Sequence, residues 1–154
     1  MDSIELSIEI PVTPATLRPA LTTPDGFRAW LAIDTTVDAG GRYTFAFGPR
    51  VVTFTLDRAD DRGIAMTCVG EHDNPDWLGT RLDVRLTAIP DARTRVDLVH
   101  AGYPSRNECY QRCIGAWEYF LSSLALYATT GQGRPFDAKV SGPAPAQASA
   151  EAVS

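Results

Sequence analysis

The sequence predicts an α+β domain in which an antiparallel sheet packs against one long C-terminal helix. Alternation of apolar and polar residues dominates the first hundred residues, apart from two short helical segments, and this is the period of strands with one buried face. The alternating segments are joined by short polar links such as residues 60–63 and 90–92, which favour hairpins and therefore antiparallel pairing. Residues 105–129 instead carry apolar side chains at three- and four-residue spacing, which is typical of a helix with one buried face.

The first strand is predicted over residues 3–10, where isoleucine and leucine alternate with serine and glutamate. Two short helices are predicted next. Thr13 and Thr23 are each expected to be an N-cap, because a proline follows at the first helical position. The pair Gly40-Gly41 then predicts a tight turn.

The rest of the chain is predicted as a run of strands followed by a helix and a tail. Four or five further strands are expected from the alternating segments 42–47, 50–57, 64–68, 78–89 and 94–100. The long helix is expected to begin with a capping box formed by Ser105 and Glu108 and to end at Gly131. The predicted domain is residues 1–130, and residues 131–154, rich in Gly, Pro, Ala and Ser, are expected to be a disordered tail.

Composition limits the classes of function. The 154 residues fit one domain, and the net charge of −5 without a basic cluster argues against nucleic acid as a partner. No run approaches the ~20 apolar residues of a membrane span, and residues 1–9 lack the features of a secretory signal, so neither is expected. Three cysteines suit a reducing cytoplasm. We expect a cytoplasmic monomer or weak homodimer without a cofactor.

The order of several short motifs resembles a known family. The motifs are Pro-Val-Thr-Pro at residues 11–14, Trp30-Leu31, Gly-Gly-Arg-Tyr-Thr-Phe at 40–45, Val-Asp-Leu-Val-His-Ala-Gly-Tyr-Pro at 96–104 and Gly-Ala-Trp at 115–117. Across residues 3–130 the sequence is similar to the START/SRPBCC superfamily, in its branch of heat-shock-protein ATPase activator homologues. The resemblance implies the helix-grip fold, a curved antiparallel sheet wrapped around the long helix with a cavity between them. In such folds the cavity takes lipids, polyketides, hormones or other apolar molecules.

Ten residues are the candidate ligand contacts of that cavity: Trp30, Phe47, Phe54, Met66, Trp77, His100, Tyr103, Cys113, Trp117 and Phe120. The alternative is that such side chains only fill a core; their large aromatic content and the adaptable Met66 favour a pocket. His100 shares the parity of the inward-facing residues of its strand, so it should be buried with a partner such as Tyr103 or a residue of the helix. A structural hydrogen bond and a ligand contact are both open for it. Trp77 is expected either to cover the cavity mouth or to pack at an edge.

Other chemistry has weaker signals. Cys109 and Cys113 lie four residues apart on the predicted helix and, with His100, resemble a metal site only weakly, so packing thiols are the favoured interpretation. His72 lies in a polar loop and is expected to be solvated. The sequence contains neither a nucleophile elbow nor a phosphate-binding loop.

Three functions are therefore predicted. The first is a non-catalytic protein that binds a small apolar or aromatic molecule, such as a polyketide-type natural product, for sequestration, protection or biosynthesis. The second is a cyclase or dehydratase acting in the same cavity. The third, implied by the resemblance, is a module that binds a chaperone.

Overall fold

The computed structural model describes residues 2–69 and 76–137, which form a curved antiparallel sheet and three helices. The elements, in chain order, are β1 (Asp2–Ile10), α1 (Pro14–Thr22), α2 (Pro24–Trp30), β2 (Thr35–Val37), β3 (Arg42–Phe47), β4 (Arg50–Asp60), β5 (Gly63–Val69), β6 (Arg81–Ile89), β7 (Arg93–Tyr103) and α3 (Glu108–Thr130). The strand order is β1-β7-β6-β5-β4-β3-β2, so β2 to β7 are a meander and β1 returns to pair with β7. This is the predicted α+β class and helix-grip arrangement.

The register of the β1–β7 pair explains why alternation was a good guide to this sheet. Ile4 lies opposite His100, and Leu6 lies opposite Leu98. Side chains that face each other across two strands point to the same side of the sheet. One buried face therefore runs across both strands, and the charged residues of β1 lie on the other face.

The β4–β5 hairpin requires a glycine. Gly63 has φ +123°, and a Cβ atom placed there would lie 1.8 Å from the carbonyl oxygen of Val84 on β6. No side chain fits at that separation, so the glycine permits close approach of the neighbouring strand.

The two short helices begin as predicted. The hydroxyl of Thr13 accepts from the backbone N–H of Thr16, and that of Thr23 accepts from Gly26. The indole N–H of Trp30 on α2 donates to the carbonyl oxygen of Ala20 on α1 at 2.7 Å. This buried bond ties the helices into one unit that covers an end of the sheet.

The long helix begins later than predicted. Asn107, not Ser105, is the N-cap, and its side-chain oxygen accepts from the backbone N–H of Tyr110 at 3.0 Å. The capping box of Ser105 and Glu108 is therefore wrong, because Glu108 is already the first helical residue. The helix ends, as predicted, with Gly131 in the left-handed conformation at φ +84°.

This cap gives a simple test. Asn107→Ala should lower the free energy of unfolding by about 1 kcal/mol, because one backbone N–H of the first turn loses its partner. Ser105→Ala is the matched control and should change stability by less than about 0.5 kcal/mol. Urea unfolding of both variants measures the difference, and a greater loss for Ser105→Ala would contradict the assigned cap.

The strands also differ from the prediction at β2 and at the start of β6, and β4 and β7 extend three residues further than predicted, to Asp60 and Tyr103. The short strand β2 was not predicted, since its three residues include only one apolar side chain and carry no alternation. β6 begins at Arg81 rather than residue 78, because residues 76–79 form a turn. Leu78 in that turn is 56% exposed.

The segment after α3 packs on the domain as far as Asp137. Phe136 is buried, its N–H donates to the carbonyl oxygen of Leu31, and its carbonyl accepts from the N–H of Ile33. The ring of Phe136 also contacts Phe47 at 6.0 Å. One aromatic side chain and two backbone bonds hold this segment, so the predicted start of the disordered tail at Gly131 is too early. Residues 138–154 of that tail, and His72, lie outside the described residues.

No helix among residues 2–69 and 76–137 is long and apolar enough to cross a membrane.

Candidate functional site

A small internal cavity lies where α2 and α3 meet the buried face of the sheet. Its lining is entirely apolar apart from aromatic N–H groups, and consists of Phe27, Trp30, Leu31, Phe45, Phe47, Val52, Phe54, Ile64, Met66, Trp77, Leu82, Val84 and Trp117. Seven of these side chains are aromatic. The cavity volume is about 10 Å³, which is room for roughly one water molecule. In this conformation the site is nearly filled.

Six of the ten predicted contacts line this cavity: Trp30, Phe47, Phe54, Met66, Trp77 and Trp117. The other four, His100, Tyr103, Cys113 and Phe120, are buried nearby but do not line it. Phe120 packs behind the lining, with its ring 5.6 Å from Phe47 and 6.4 Å from Trp117. His100, Tyr103 and Cys113 instead form a polar cluster beside the cavity.

The sequence did not identify seven lining residues as contacts: Phe27, Leu31, Phe45, Val52, Ile64, Leu82 and Val84. Three of them, Phe45, Val52 and Ile64, share a strand and a parity with a residue that was identified, so the alternation already contained the signal. Leu82 and Val84 lie on the buried face of β6, which carries none of the ten predicted contacts. Val52, for example, shares a face with Phe54, and Ile64 shares one with Met66. Phe27 and Leu31 could be found only once the position of α2 over the sheet was known.

His100 is the centre of the polar cluster. It is fully buried, and its Nδ1 lies 3.1 Å from the indole N–H of Trp117 and 2.9 Å from the hydroxyl of Tyr103. Because an indole can only donate, Nδ1 must be an acceptor and the proton must lie on Nε2. Nε2 then donates to the hydroxyl of Thr80 at 2.8 Å, and that hydroxyl donates to the carbonyl oxygen of Trp77. The expected partners of His100, Tyr103 and a residue of the helix, are both present.

This environment keeps His100 neutral. Burial lowers the pKa of His100 from 6.5 to about 3, because the charged imidazolium would lose its hydration. Both ring nitrogens are already occupied by hydrogen bonds. A neutral, fully bonded imidazole orients its neighbours and is not available as a general base.

The Tyr103 phenol and the Cys113 thiol are neutral as well. Burial, more than any other factor, raises the pKa of Tyr103. A hydrogen bond with Cys109, followed by burial, raises the pKa of Cys113. Uncharged thiols are poor nucleophiles and poor metal ligands. Within residues 2–69 and 76–137, no group of three His, Cys, Asp or Glu side chains is placed to hold a metal ion.

Trp77 joins the cavity to the polar cluster. Its ring lies nearly parallel to that of Trp117, at an interplanar angle of 9° and a centroid distance of 6.1 Å. It meets the ring of His100 edge-on at 4.7 Å, and its N–H donates to the sulfur of Cys113 at 3.4 Å. Trp77 is only half-buried, whereas each of the other lining side chains is at most 8% exposed.

Several solved structures share this fold. The Aha1 dimer from Colwellia psychrerythraea is 25% identical, with a TM-score of 0.77 over 86% of this chain and 100% of that chain. CalU16 from Micromonospora echinospora is 20% identical, with a TM-score of 0.64 over 84% of this chain and 77% of that one. DynU16, a protein in the dynemicin biosynthetic locus, is 17% identical, with a TM-score of 0.69 over 86% of this chain and 49% of that one. No curated protein matches the sequence.

A family model provides the assignment. Residues 11–129, from the end of β1 to the last turn of α3, match the model described as activator of Hsp90 ATPase homolog 1-like protein. The match covers most of the folded body and agrees with the resemblance to the START/SRPBCC superfamily and with the observed fold. The chain belongs to the family of activator of Hsp90 ATPase homolog 1-like proteins.

Proposed function

We propose that the protein binds a small, largely apolar or aromatic molecule between the sheet and the helices. The observation that carries this proposal is the apolar lining, in which seven aromatic side chains converge from the sheet, α2, α3 and the turn of residues 76–79. Sites for small molecules are mostly apolar and aromatic, with a few polar groups that fix orientation. The cluster of His100, Tyr103 and Cys113 lies at one side of the lining and supplies such groups.

Binding requires the cavity to expand. A site for a drug-sized ligand occupies roughly 300–1,000 Å³, whereas the cavity measures about 10 Å³. Met66 contributes a flexible side chain to the lining, and Trp77 lies in a turn rather than in a strand or helix. These residues can be displaced at lower cost than the aromatic side chains held on α2 and β3.

A natural product of polyketide type fits the proposed ligand class. DynU16, which shares this fold, comes from a locus for dynemicin biosynthesis. Sequestration, protection of the producing cell and participation in biosynthesis are roles that need only such binding. The cyclase alternative has less support, because His100 is neutral and has both ring nitrogens bonded.

Chaperone binding is the second proposal, and the family description favours it. The outward residues of β6 include Arg81, Asp83 and Arg85, so this face would bind a partner through charges rather than through an apolar patch. Titration with purified Hsp90 in low and high salt tests the proposal, since charge-based binding weakens as salt rises. Absence of binding at about 100 µM Hsp90 would contradict it.

The assembly state is also proposed. The relative from Colwellia psychrerythraea is described as a dimer. We infer that this chain is a monomer or a weak homodimer, and sedimentation equilibrium over a range of concentrations distinguishes the two.

The ligand proposal is tested by titrating the protein with a panel of aromatic polyketides and simpler fused-ring phenols. Dissociation constants of about 10 µM to 1 mM are expected for compounds that bury one or two rings. Methyl NMR signals of Met66 and Val84, which line the cavity, should shift, and those of Leu17 on α1, which is buried outside it, should not. If no compound shifts the lining methyl groups, or if Leu17 shifts equally, the proposed site is wrong.

A further inference from the structure

The indole of Trp77 occupies a flat slot at the edge of the cavity. Trp117 forms one wall, with its ring nearly parallel to the indole. The edges of the slot are His100, whose centroid lies 4.7 Å away, and Phe54, whose centroid lies 6.0 Å away. Parallel and edge-on contacts of this kind stabilise a planar aromatic group. The slot therefore has the shape of a fused two-ring system.

The inner end of the slot accepts a hydrogen bond. The indole N–H donates to the sulfur of Cys113 at 3.4 Å, and the hydroxyl of Tyr103, which donates to Nδ1 of His100 at 2.9 Å, belongs to the same polar cluster. Burial holds the pKa of the Tyr103 phenol above its ordinary value, and a hydrogen bond with Cys109, followed by burial, does the same for the Cys113 thiol, so both groups are uncharged. A neutral acceptor at the end of an apolar slot selects a ligand with one N–H or O–H donor rather than a charged group.

Trp77 is the lining residue that can leave most readily. It lies in the turn of residues 76–79 and is half-buried, whereas the other lining side chains are almost completely covered. Its backbone is fixed separately, because both the N–H and the hydroxyl of Thr80 donate to the Trp77 carbonyl oxygen. The side chain can therefore turn outward while the start of β6 stays in place. Its departure uncovers Trp117, His100 and Cys113 together.

We propose that the Trp77 indole stands in for the ligand, which is a flat fused-ring aromatic molecule carrying one N–H or O–H donor. The ligand displaces Trp77, lies parallel to Trp117 and donates to the sulfur of Cys113. This inference rests on the proposed binding function and specifies its ligand class and its slot. It also explains how a cavity of about 10 Å³ accepts a ring system.

The first test uses Trp77→Ala, which empties the slot, with indole as the probe. Indole should bind this variant at least about tenfold more tightly than it binds the wild type, because the competing side chain has been removed. N-methylindole, which has the same rings without the donor, should bind the variant about tenfold more weakly than indole. Leu78→Ala, the neighbouring exposed residue, is the matched control and should bind like the wild type. Calorimetric titration measures all four cases.

A second measurement uses the wild-type protein and does not depend on the folding of a variant. Fluorotryptophan labelling gives separate fluorine NMR signals for Trp30, Trp77 and Trp117. Saturating 2-naphthol should move the Trp77 signal toward the position of a solvent-exposed indole, with Trp30 changing least.

The outcomes separate this inference from the proposed function. If 2-naphthol shifts the Met66 methyl signal but leaves the Trp77 signal unmoved, the ligand does not displace the Trp77 indole and this inference is wrong. The cavity then remains a ligand site, as the proposed function requires. Equal affinity of indole for the wild type and a folded Trp77→Ala variant also overturns this inference. If neither protein binds indole or naphthol, the slot is not a ligand site, and the polyketide panel alone then decides the proposed function.

Discussion

Trp117→Ala should lower the free energy of unfolding by about 3–5 kcal/mol, the range for removal of a closely packed aromatic side chain. Trp117 is 4% exposed, and the void beside it is only about 10 Å³. Its ring is therefore packed against neighbouring side chains on nearly all sides, and its removal loses most of those contacts. Its removal takes away the parallel partner of Trp77 and one of the two donors to His100. Urea unfolding monitored by far-ultraviolet circular dichroism measures the loss without relying on tryptophan emission.

Two further variants identify what Trp117 contributes. Trp117→Phe keeps most of the ring but removes the N–H, and should cost about 1 kcal/mol because Tyr103 still donates to His100. Leu124→Ala removes a fully buried side chain from the same helix outside the cavity lining, and should cost about 2–5 kcal/mol. Affinity for 2-naphthol should fall at least about tenfold in Trp117→Ala and stay unchanged in Leu124→Ala. A loss for Trp117→Ala well below that for Leu124→Ala would mean that Trp117 faces a larger void than the structure contains.

The fold was predictable because the sequence encodes it locally. Thr13 and Thr23 each precede a proline, and this pairing is a sufficient signal for the start of a short helix. The alternation in β4 to β7 specifies the buried face of each strand, and short links specify antiparallel neighbours. The features that were missed are tertiary. Strand β2 forms by pairing with β3. Phe136 is held by its ring contact with Phe47 and by hydrogen bonds to the backbone after α2.

The candidate site was predictable only in part, for a related reason. Strand parity shows that Phe54 and Met66 point inward, and helical spacing shows the same for Trp117, but neither pattern shows whether the space between them is filled. The volume between sheet and helices depends on their separation, which no local pattern specifies. The burial of His100 followed from parity, whereas Tyr103 was expected only as one possible partner beside a residue of the helix. The position of the Trp77 ring did not, because Trp77 lies in a turn, where neither helical nor strand periodicity applies.

Lowering the pH should destabilise the protein through His100, by about 5 kcal/mol over the full titration. In the folded protein the pKa of His100 is about 3, so the ring stays neutral in mildly acidic solution. In the unfolded chain the same residue takes up a proton below about pH 6.5. Between these two values the unfolded state binds one more proton than the folded state. Stability is therefore fully present above about pH 6.5 and is lost, at about 1.4 kcal/mol per pH unit, as the pH falls toward 3.

The window from about pH 6 to 4.5 isolates this effect, which should amount to about 2 kcal/mol there. The groups around His100, namely Thr80, Tyr103, Cys113, Trp77 and Trp117, stay uncharged throughout the window. Although burial opposes it, hydrogen bonds from Ser7 and Arg95 hold the pKa of the Asp97 carboxyl below its ordinary value, so this group titrates below the window.

His100→Gln is the control variant, because glutamine can form hydrogen bonds but does not titrate. His72 is retained in both proteins, so its contribution cancels. Urea unfolding at several pH values should give a slope for the wild type that exceeds the slope for His100→Gln by about 1.4 kcal/mol per pH unit. Equal slopes would mean that His100 is protonated in the folded protein near its ordinary pKa. Water would then reach the imidazole, the cluster behind Trp77 would be open in solution, and His100 would again be available as an acid or base for chemistry in the cavity.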